Sequence, residues 1–249
     1  MSPSVTGVSV ELSYEERGQG APLLLIHGLA QDHVALSALA ETLAGVGAGR
    51  VIAYSRRGYA PSGAPEPYDG TTVAEQAEDA AALLAGLDAA DAAAVGFGFG
   101  ALIALDLLLR HPGLLRAAVL VEPPLFAFVP EATRALADER GRIQEAVFAG
   151  GPRVGVAAWL DGQPGGARDG AERERALGHH HAFFADYAGL ATLPVTRREL
   201  RAIAVPVAIV TGPATEPHAV AAAEALAGLV PDVLRVADGD VVGAVAALA

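Results

Sequence analysis

The run Gly-Phe-Gly-Phe-Gly at residues 96–100 stands where the sequence predicts a sharp turn from a strand into a helix. An apolar run over residues 92–95 leads in, and an apolar helical pattern over residues 101–105 leads out. In the motif Gly-x-Ser-x-Gly, a serine at such a turn presents its hydroxyl as a nucleophile. The third position here is Gly98, so the sequence predicts the turn without the hydroxyl.

Short apolar runs and helical patterns alternate along most of the chain. Buried strands are predicted over residues 23–26, 51–54, 92–95, 117–121, 205–210 and 233–236, with one or two edge strands within residues 5–16. Helices are predicted over residues 36–44, 71–86 and 241–248, and behind the turn at Gly98 up to about His111; Thr72 and Glu75 form a capping-box pattern. This alternation favours an α/β fold, with a mostly parallel sheet and helices on both faces.

Residues 126–201 break the alternation. They contain helical patterns over residues 131–148 and 172–187 and no convincing strand. We interpret residues 125–201 as a helical cap inserted into a core domain formed by residues 1–124 and 202–249. Residues 162–166, rich in glycine and proline, are expected to form a mobile loop.

Composition excludes several classes of function. The chain has 249 residues, a formal net charge of -12 and no cysteine, and all its basic residues apart from histidine are arginines. Nucleic acid and anionic membranes are therefore poor partners, and cysteine or Schiff-base chemistry is excluded. No signal peptide is visible and no apolar stretch is long enough to span a bilayer, so a soluble cytoplasmic protein is expected. The oligomeric state stays open.

Five segments together resemble the α/β-hydrolase fold superfamily. They are Ile26-His27-Gly28-Leu29, Arg56-Arg57-Gly58-Tyr59, the run at residues 95–100, Leu120-Val121-Glu122-Pro123-Pro124 and the ending at residues 236–248. They follow the family's order and cover nearly the whole chain. The resemblance implies the α/β-hydrolase fold with a helical cap insertion.

The resemblance also locates the three positions of the family's catalytic triad, and all three are changed. The nucleophile position is Gly98, the acid position falls near Thr215, and the histidine position reads Gly239-Asp240. Hydrolysis by a Ser-His-Asp triad needs the hydroxyl, its base and the group that orients the base. We therefore expect no ordinary serine-hydrolase activity.

Two nearby side chains could replace the missing groups. His218 opens a predicted helix and is expected to point into solvent. Glu122 follows a strand, where some family members keep their acid, although a simple capping role for Glu122 is the favoured interpretation. Asp240 at a helix start is a good N-cap, and could alternatively bind or repel a charged group on a substrate.

The backbone of an oxyanion hole is expected to survive. In the family, one N–H belongs to the residue after the nucleophile, here Phe99, and the other to the loop after the first central strand, here Leu29 or Ala30. Since Phe99 begins a helix, the helix dipole favours negative charge there. Plain core packing is the alternative for most aromatic residues. The predicted substrate-binding set is His27, Gly28, Ala30, Phe97, Gly98, Glu122, Phe126, Phe128, Trp159, His181, Phe184 and Asp240.

No metal and no cofactor are expected. The run His179-His180-His181 is a candidate metal-binding site by residue type. Consecutive residues on a helix point about 100° apart, however, so the three cannot all bind one ion. One of these histidines could face the pocket and the others solvent.

In its size and its three changed triad positions, this chain resembles a group of small superfamily members without a triad. That group contains a peptide aspartate epimerase of bottromycin biosynthesis. That resemblance implies a cofactor-independent isomerase, acting on the α-carbon of an aspartate beside a thiazoline or thiazole in a modified ribosomal peptide. The substrate's own carboxylate could be the base. Two alternatives stay open: a non-catalytic resistance or carrier protein that binds a small natural product, and a cyclase or lyase of polyketide biosynthesis.

Overall fold

A central sheet organises the computed structural model, which describes residues 3–7, 9–163, 170–190 and 192–248. Within these residues the sheet has eight strands in the order β1-β2-β4-β3-β5-β6-β7-β8, and all pairs from β4 through β8 are parallel. The strands are β1 (Ser4–Thr6), β2 (Glu11–Arg17), β3 (Pro22–Ile26), β4 (Arg50–Tyr54), β5 (Ala92–Phe97), β6 (Leu115–Val121), β7 (Val207–Val210) and β8 (Val233–Val236). Strands β1 and β2 form one edge of the sheet, as the alternating pattern predicted, and their pairing is antiparallel.

Helices cover both faces of the sheet, which confirms the α/β architecture. The helices are α1 (Ser37–Gly45), α2 (Val73–Gly86), α3 (Phe99–Arg110), α4 (Pro130–Gly150), α5 (Pro152–Asp161), α6 (Gly170–Gly178), α7 (His180–Gly189), α8 (Arg197–Leu200), α9 (Pro217–Ala227) and α10 (Val241–Ala247). Helices α2 and α3 pack in one hydrophobic cluster with the sheet, and α1 and α10 pack in a second. No helix in the described ranges is long and apolar enough to cross a membrane.

The segment between β6 and β7 is helical where it is described, as predicted, but its helices differ in detail. Helix α5 was not predicted, although Gly151 at φ 87° followed by Pro152 is a usual way to end one helix and begin another. The single helix expected over residues 172–187 is two helices, which meet at His179. Of the expected loop, residues 164–166 lie outside the described residues.

Two glycines let the strand β5, the turn and the helix α3 pack against β3. A Cβ on Gly96 would overlap the backbone of Gly100, and a Cβ on Gly100 would overlap the carbonyl oxygens of Ile26 and His27. Because these obstacles are backbone atoms, no side-chain rotation can relieve them. The glycines of the run therefore serve close backbone approach, which keeps the turn directly above the end of the sheet.

This packing predicts opposite effects for two Gly→Ala substitutions. Gly100→Ala should lower the free energy of unfolding by about 1–3 kcal/mol, because overpacking forces backbone shifts. Gly141→Ala, in exposed helix α4 where nothing lies within 4 Å of the added Cβ, should raise it by roughly 0.5–1 kcal/mol. Denaturant unfolding of both variants checks the pair, and equal stabilities would contradict the packing argument.

Candidate active site

Gly98 forms the turn between β5 and α3. Its backbone has φ 51° and ψ -114°, and its N–H donates to the carbonyl of Val121 at 2.9 Å. A Cβ built on Gly98 would meet no heavy atom within 4 Å. The position therefore faces open space, as a nucleophile would, but its own residue supplies no functional group.

A cavity of about 620 Å³ lies over this turn, between the sheet and the helices that follow β6. Its apolar wall includes Phe97, Phe99, Phe126 and Trp159, and Trp159 is the only tryptophan of the chain. From the predicted set, the cavity is lined by Gly28, Leu29, Phe97, Gly98, Phe99, Glu122, Phe126, Trp159 and Thr215. A cavity of this size suits a small-molecule or short-peptide ligand.

Two backbone N–H groups lie at the floor of the cavity. Phe99 begins helix α3, so its N–H has no acceptor within the helix. The N–H of Leu29 likewise meets no acceptor among the described residues. The Ala30 N–H is instead directed at the Tyr59 hydroxyl, at 3.4 Å, and Ala30 does not line the cavity. Leu29 and Phe99 are thus the pair that could stabilise an oxyanion.

The acid position brings Thr215 and Glu122 together. The Thr215 hydroxyl donates to Oε1 of Glu122 and accepts from the Gly212 N–H at 2.7 Å. Glu122 has a φ of 48°, a conformation that costs a residue other than glycine free energy and that clusters at functional sites. Glu122 thus lines the cavity as an exposed residue, with the Thr215 hydroxyl beside its carboxylate.

The histidine position does not contribute to the cavity. Asp240 caps α10, accepting from the Gly243 N–H at 2.8 Å, and it lines a separate surface depression. His218, which was expected to point into solvent, instead lines the cavity, half-buried, with its ring centroid 5.7 Å from that of Phe126. The expectation was wrong because the first turn of α9 packs towards the chain that follows β6.

Helix α4 adds charged residues that the sequence did not single out. Asp138, Glu139 and Arg142 line the cavity. Glu139 accepts from the Tyr187 hydroxyl at 2.6 Å, whereas Arg142 makes no ion pair with any described residue. In the sequence, only the spacing of Asp138 and Glu139 one helical turn before Arg142 could have indicated this site. Such spacing is also common on solvent-exposed helix faces. Counting Glu122 and Glu216, the described lining holds four carboxylates and one guanidinium, so its mouth is acidic.

Other members of the predicted substrate-binding set lie away from the cavity. Phe128 packs under the guanidinium of Arg197, at 4.9 Å, and Phe184 packs edge-on against Phe183. His181 lies beside His180, with ring centroids 4.4 Å apart. His27 is fully buried behind the cavity. Each of these side chains is used in packing or hydrogen bonding, which a sequence pattern cannot separate from ligand binding.

Of the three consecutive histidines, His179 contacts Asp32 and Tyr59, whereas the rings of His180 and His181 lie side by side. Nε2 of His179 lies 3.4 Å from Oδ2 of Asp32, and His180 Nδ1 lies 3.1 Å from the Leu177 carbonyl. Among the described residues, no group of three or more His, Cys, Asp or Glu side chains could hold a metal ion.

A buried network lies directly behind the cavity floor. The guanidinium of Arg56 donates to Asp186 of α7 at 2.7 Å and to Gln76 of α2 at 2.6 Å. Gln76 also donates to Asp186 at 2.6 Å, and the Tyr59 hydroxyl donates to Asp186 at 2.6 Å. Burial opposes the charge of Arg56, yet Asp186 raises the pKa of Arg56 above its ordinary value. Burial and the Asp186 charge also raise the pKa of Tyr59, so at neutral pH Arg56 is charged and the Tyr59 hydroxyl keeps its proton.

Comparison with known proteins identifies the family. The family model described as alpha/beta hydrolase fold matches residues 21–157, over half of the chain, and the chain therefore belongs to this family. The uncharacterized hydrolase YraK of Bacillus subtilis is 34% identical over 114 residues, 46% of this chain and 41% of that protein. The match thus spans about two fifths of that relative's length.

Solved structures share the fold over nearly the whole chain. The esterase EaEST from Exiguobacterium antarcticum superimposes with a TM-score of 0.80 at 18% identity, covering 95% of this chain and 90% of that one. An alpha/beta hydrolase from Sphaerobacter thermophilus gives a TM-score of 0.75 at 21% identity, covering 94% and 91%. At these identities the likeness concerns the fold.

The buried His27 makes stability depend on pH. Burial, with the nearby Arg56 charge, lowers the pKa of His27 well below its ordinary value. Below about pH 6.5 the unfolded state therefore binds a proton that the folded state does not. As the pH falls through this range, the free energy of unfolding decreases by about 1.4 kcal/mol per pH unit. His27→Gln should remove this slope and His111→Gln, at a half-buried surface site, should keep it. Denaturant unfolding from about pH 7 to about pH 5 measures the slopes, and equal slopes for wild type and His27→Gln would refute the assignment.

Proposed function

We propose that this chain catalyses cofactor-independent proton transfer at a carbon beside a carbonyl group, without a Ser-His-Asp triad. The proposal depends most on the N–H groups of Leu29 and Phe99, which meet no acceptor among the described residues and lie at the floor of a cavity whose turn residue, Gly98, has no nucleophile. Such donors stabilise the negative oxygen of an enolate as it forms. Proton abstraction therefore uses what the site retains and requires nothing that it lacks.

The base in this proposal is Glu122. Glu122 lines the cavity, and its carboxylate accepts a hydrogen bond from the Thr215 hydroxyl, which orients it. The Cα–H proton passes to the carboxylate and the bonding pair moves into the enolate. A water molecule then gives a proton to the opposite face of the carbon, which forms the epimer, and the hydroxide left behind takes the proton from the carboxyl group. The substrate's own carboxylate is the alternative base.

The particular substrate we propose is an aspartate residue in a modified ribosomal peptide of the bottromycin type, beside a thiazoline that acidifies the α-proton. The resemblance of the triad positions Gly98, Thr215 and Asp240 to atypical superfamily members supports this choice. The cavity offers Arg142, without an ion pair among the described residues, to the aspartate carboxylate. Arginine is well suited to that contact because its planar fork matches a carboxylate.

Incubation of the enzyme with a thiazoline-flanked aspartate peptide in heavy water should place one deuterium on the aspartate α-carbon. Mass spectrometry reports the exchange, and quenching of Trp159 fluorescence confirms that the peptide binds. Glu122→Gln should slow exchange by about 10²–10⁴-fold, the usual contribution of a general base. Glu216→Gln, at an exposed lining carboxylate, is the matched control and should exchange at the wild-type rate.

Three results of this experiment have separate meanings. Binding without exchange would overturn the proposal and support a non-catalytic carrier. Undiminished exchange in Glu122→Gln would overturn the role of Glu122 and leave the substrate's carboxylate as the base. Exchange lost equally in both variants would assign the effect to the cavity's overall charge.

Ester hydrolysis is the competing activity, and it predicts a different outcome. The wild-type protein should hydrolyse 4-nitrophenyl acetate no faster than background. Gly98→Ser should also show no burst of 4-nitrophenol, since the hydroxyl would have room but Asp240 occupies the position of the usual base. Stopped-flow absorbance measures the burst. A burst of one 4-nitrophenol per wild-type enzyme would show an acyl-enzyme and would overturn the proposal.

A further inference from the structure

The carbonyl oxygen of Gly28 accepts two hydrogen bonds from buried donors. The Arg56 guanidinium donates at 3.0 Å, and Nδ1 of His27 lies at 2.9 Å. Nε2 of His27 accepts from the Arg56 N–H at 3.0 Å, so the proton of the neutral ring is on Nδ1 and points at Gly28. Burial keeps the pKa of His27 low, so the ring is neutral, and the backbone N–H of Arg56 selects this tautomer.

The Gly28 carbonyl belongs to the same planar peptide as the Leu29 N–H. In a trans peptide the C=O and N–H bonds point in opposite directions. The donors on Gly28 are buried behind the floor, with Arg56 1% exposed, while Leu29 lines the cavity. The hydrogen bonds on Gly28 therefore aim the Leu29 N–H at the cavity, and a cationic donor on the carbonyl also strengthens the N–H as a donor.

The residue that holds Arg56 comes from a distant part of the chain. Asp186 lies on helix α7, 130 residues from Arg56 in the chain, and it is fully buried. It also accepts from the Tyr59 hydroxyl, and that hydroxyl in turn meets the Ala30 N–H. Asp186 thus connects helix α7 to the Gly28 carbonyl through Arg56, and to the Ala30 N–H, in the loop that carries Leu29, through Tyr59.

We infer that Arg56 is a positioning residue that orients and polarises the Gly28–Leu29 peptide, and that Asp186 makes this depend on the docking of helix α7. The inference rests on the proposed function, because it concerns the oxyanion donor that the function uses. It adds a physical link between the helical segment over the cavity and the strength of a donor at its floor. Neither Arg56 nor Asp186 touches the substrate in this arrangement.

A pair of aromatic probes tests the inference without the natural substrate. The anion 4-nitrophenolate carries an enolate-like oxygen, and 4-nitroanisole is its neutral analogue of similar shape. Trp159 fluorescence measures the affinity for each, and the visible absorption band of bound 4-nitrophenolate shifts to shorter wavelength when its oxygen accepts hydrogen bonds. The wild-type protein should show both a preference for the anion and the band shift.

The double variant Arg56→Met/Asp186→Leu removes the cationic donor on the Gly28 carbonyl, keeps His27, and leaves no unpaired buried charge. It should bind 4-nitroanisole as the wild type does, while its preference for the anion falls at least about tenfold, since losing one oxyanion donor costs about 10²–10³-fold in catalysis. Arg57→Met/Asp79→Leu is the matched control. It removes the neighbouring buried pair, at 2.9 Å, which makes no hydrogen bond to Gly28, and it should keep the preference.

The outcomes separate this inference from the proposed function. If the wild type shows neither preference nor band shift, the proposed oxyanion donors fail. If the wild type shows both and the Arg56→Met/Asp186→Leu variant retains them, only the positioning inference fails. Should that variant prove unfolded by circular dichroism, Arg56→Lys decides, because one ammonium cannot replace the planar fork; an unchanged preference there overturns the inference.

Discussion

The buried ion pair between Arg56 and Asp186 is the interaction on which the site depends. One guanidinium binds the carbonyls of His27 and Gly28, the amide of Gln76 on α2 and the carboxylate of Asp186 on α7. It therefore fixes three parts of the chain relative to one another directly behind the cavity floor. Buried ion pairs often add little net stability over well-packed apolar groups. We therefore interpret this pair as fixing the relative positions of the segments that it joins. It defines where the loop after β3 meets the helical segment that covers it.

The second constraint is the tight contact of β5, the turn at Gly98 and α3 with β3. Gly96 and Gly100 leave no room for a Cβ, so the helix begins directly over the end of the sheet and the Phe99 N–H faces the cavity. The two donors thus come from independent structures: Phe99 from a helix start, and Leu29 from a peptide held from behind by Arg56. Preorganised donors of this kind stabilise charge that develops during a reaction more than charge already present in a neutral ground state. This is why we propose enolate formation at this site.

Local patterns in the sequence were enough to predict most elements. The Thr72 and Glu75 capping box is present, the strand–turn–helix at residues 92–110 forms as expected, and the residues flanking Gly98 line the cavity. The failures involve partners distant in sequence. His27 follows a strand, where a binding residue is expected, but it is buried. Arg56, 29 residues later, donates hydrogen bonds to both the ring and the carbonyl of His27. Asp138 and Arg142 on α4 reach the cavity only because of how that helix is docked, and no periodicity specifies the docking of a helix inserted far from its partners.

The central claim is that the N–H groups of Leu29 and Phe99 act together on a negative oxygen in the cavity. Amide proton chemical shifts measured during titration with 4-nitrophenolate test this directly, because a proton donated to an anion moves strongly downfield. We expect the amide protons of Leu29 and Phe99 to move downfield together and to saturate at the same ligand concentration, while that of Ala30 moves little. Saturable binding in the cavity that leaves both amides unshifted would contradict the account.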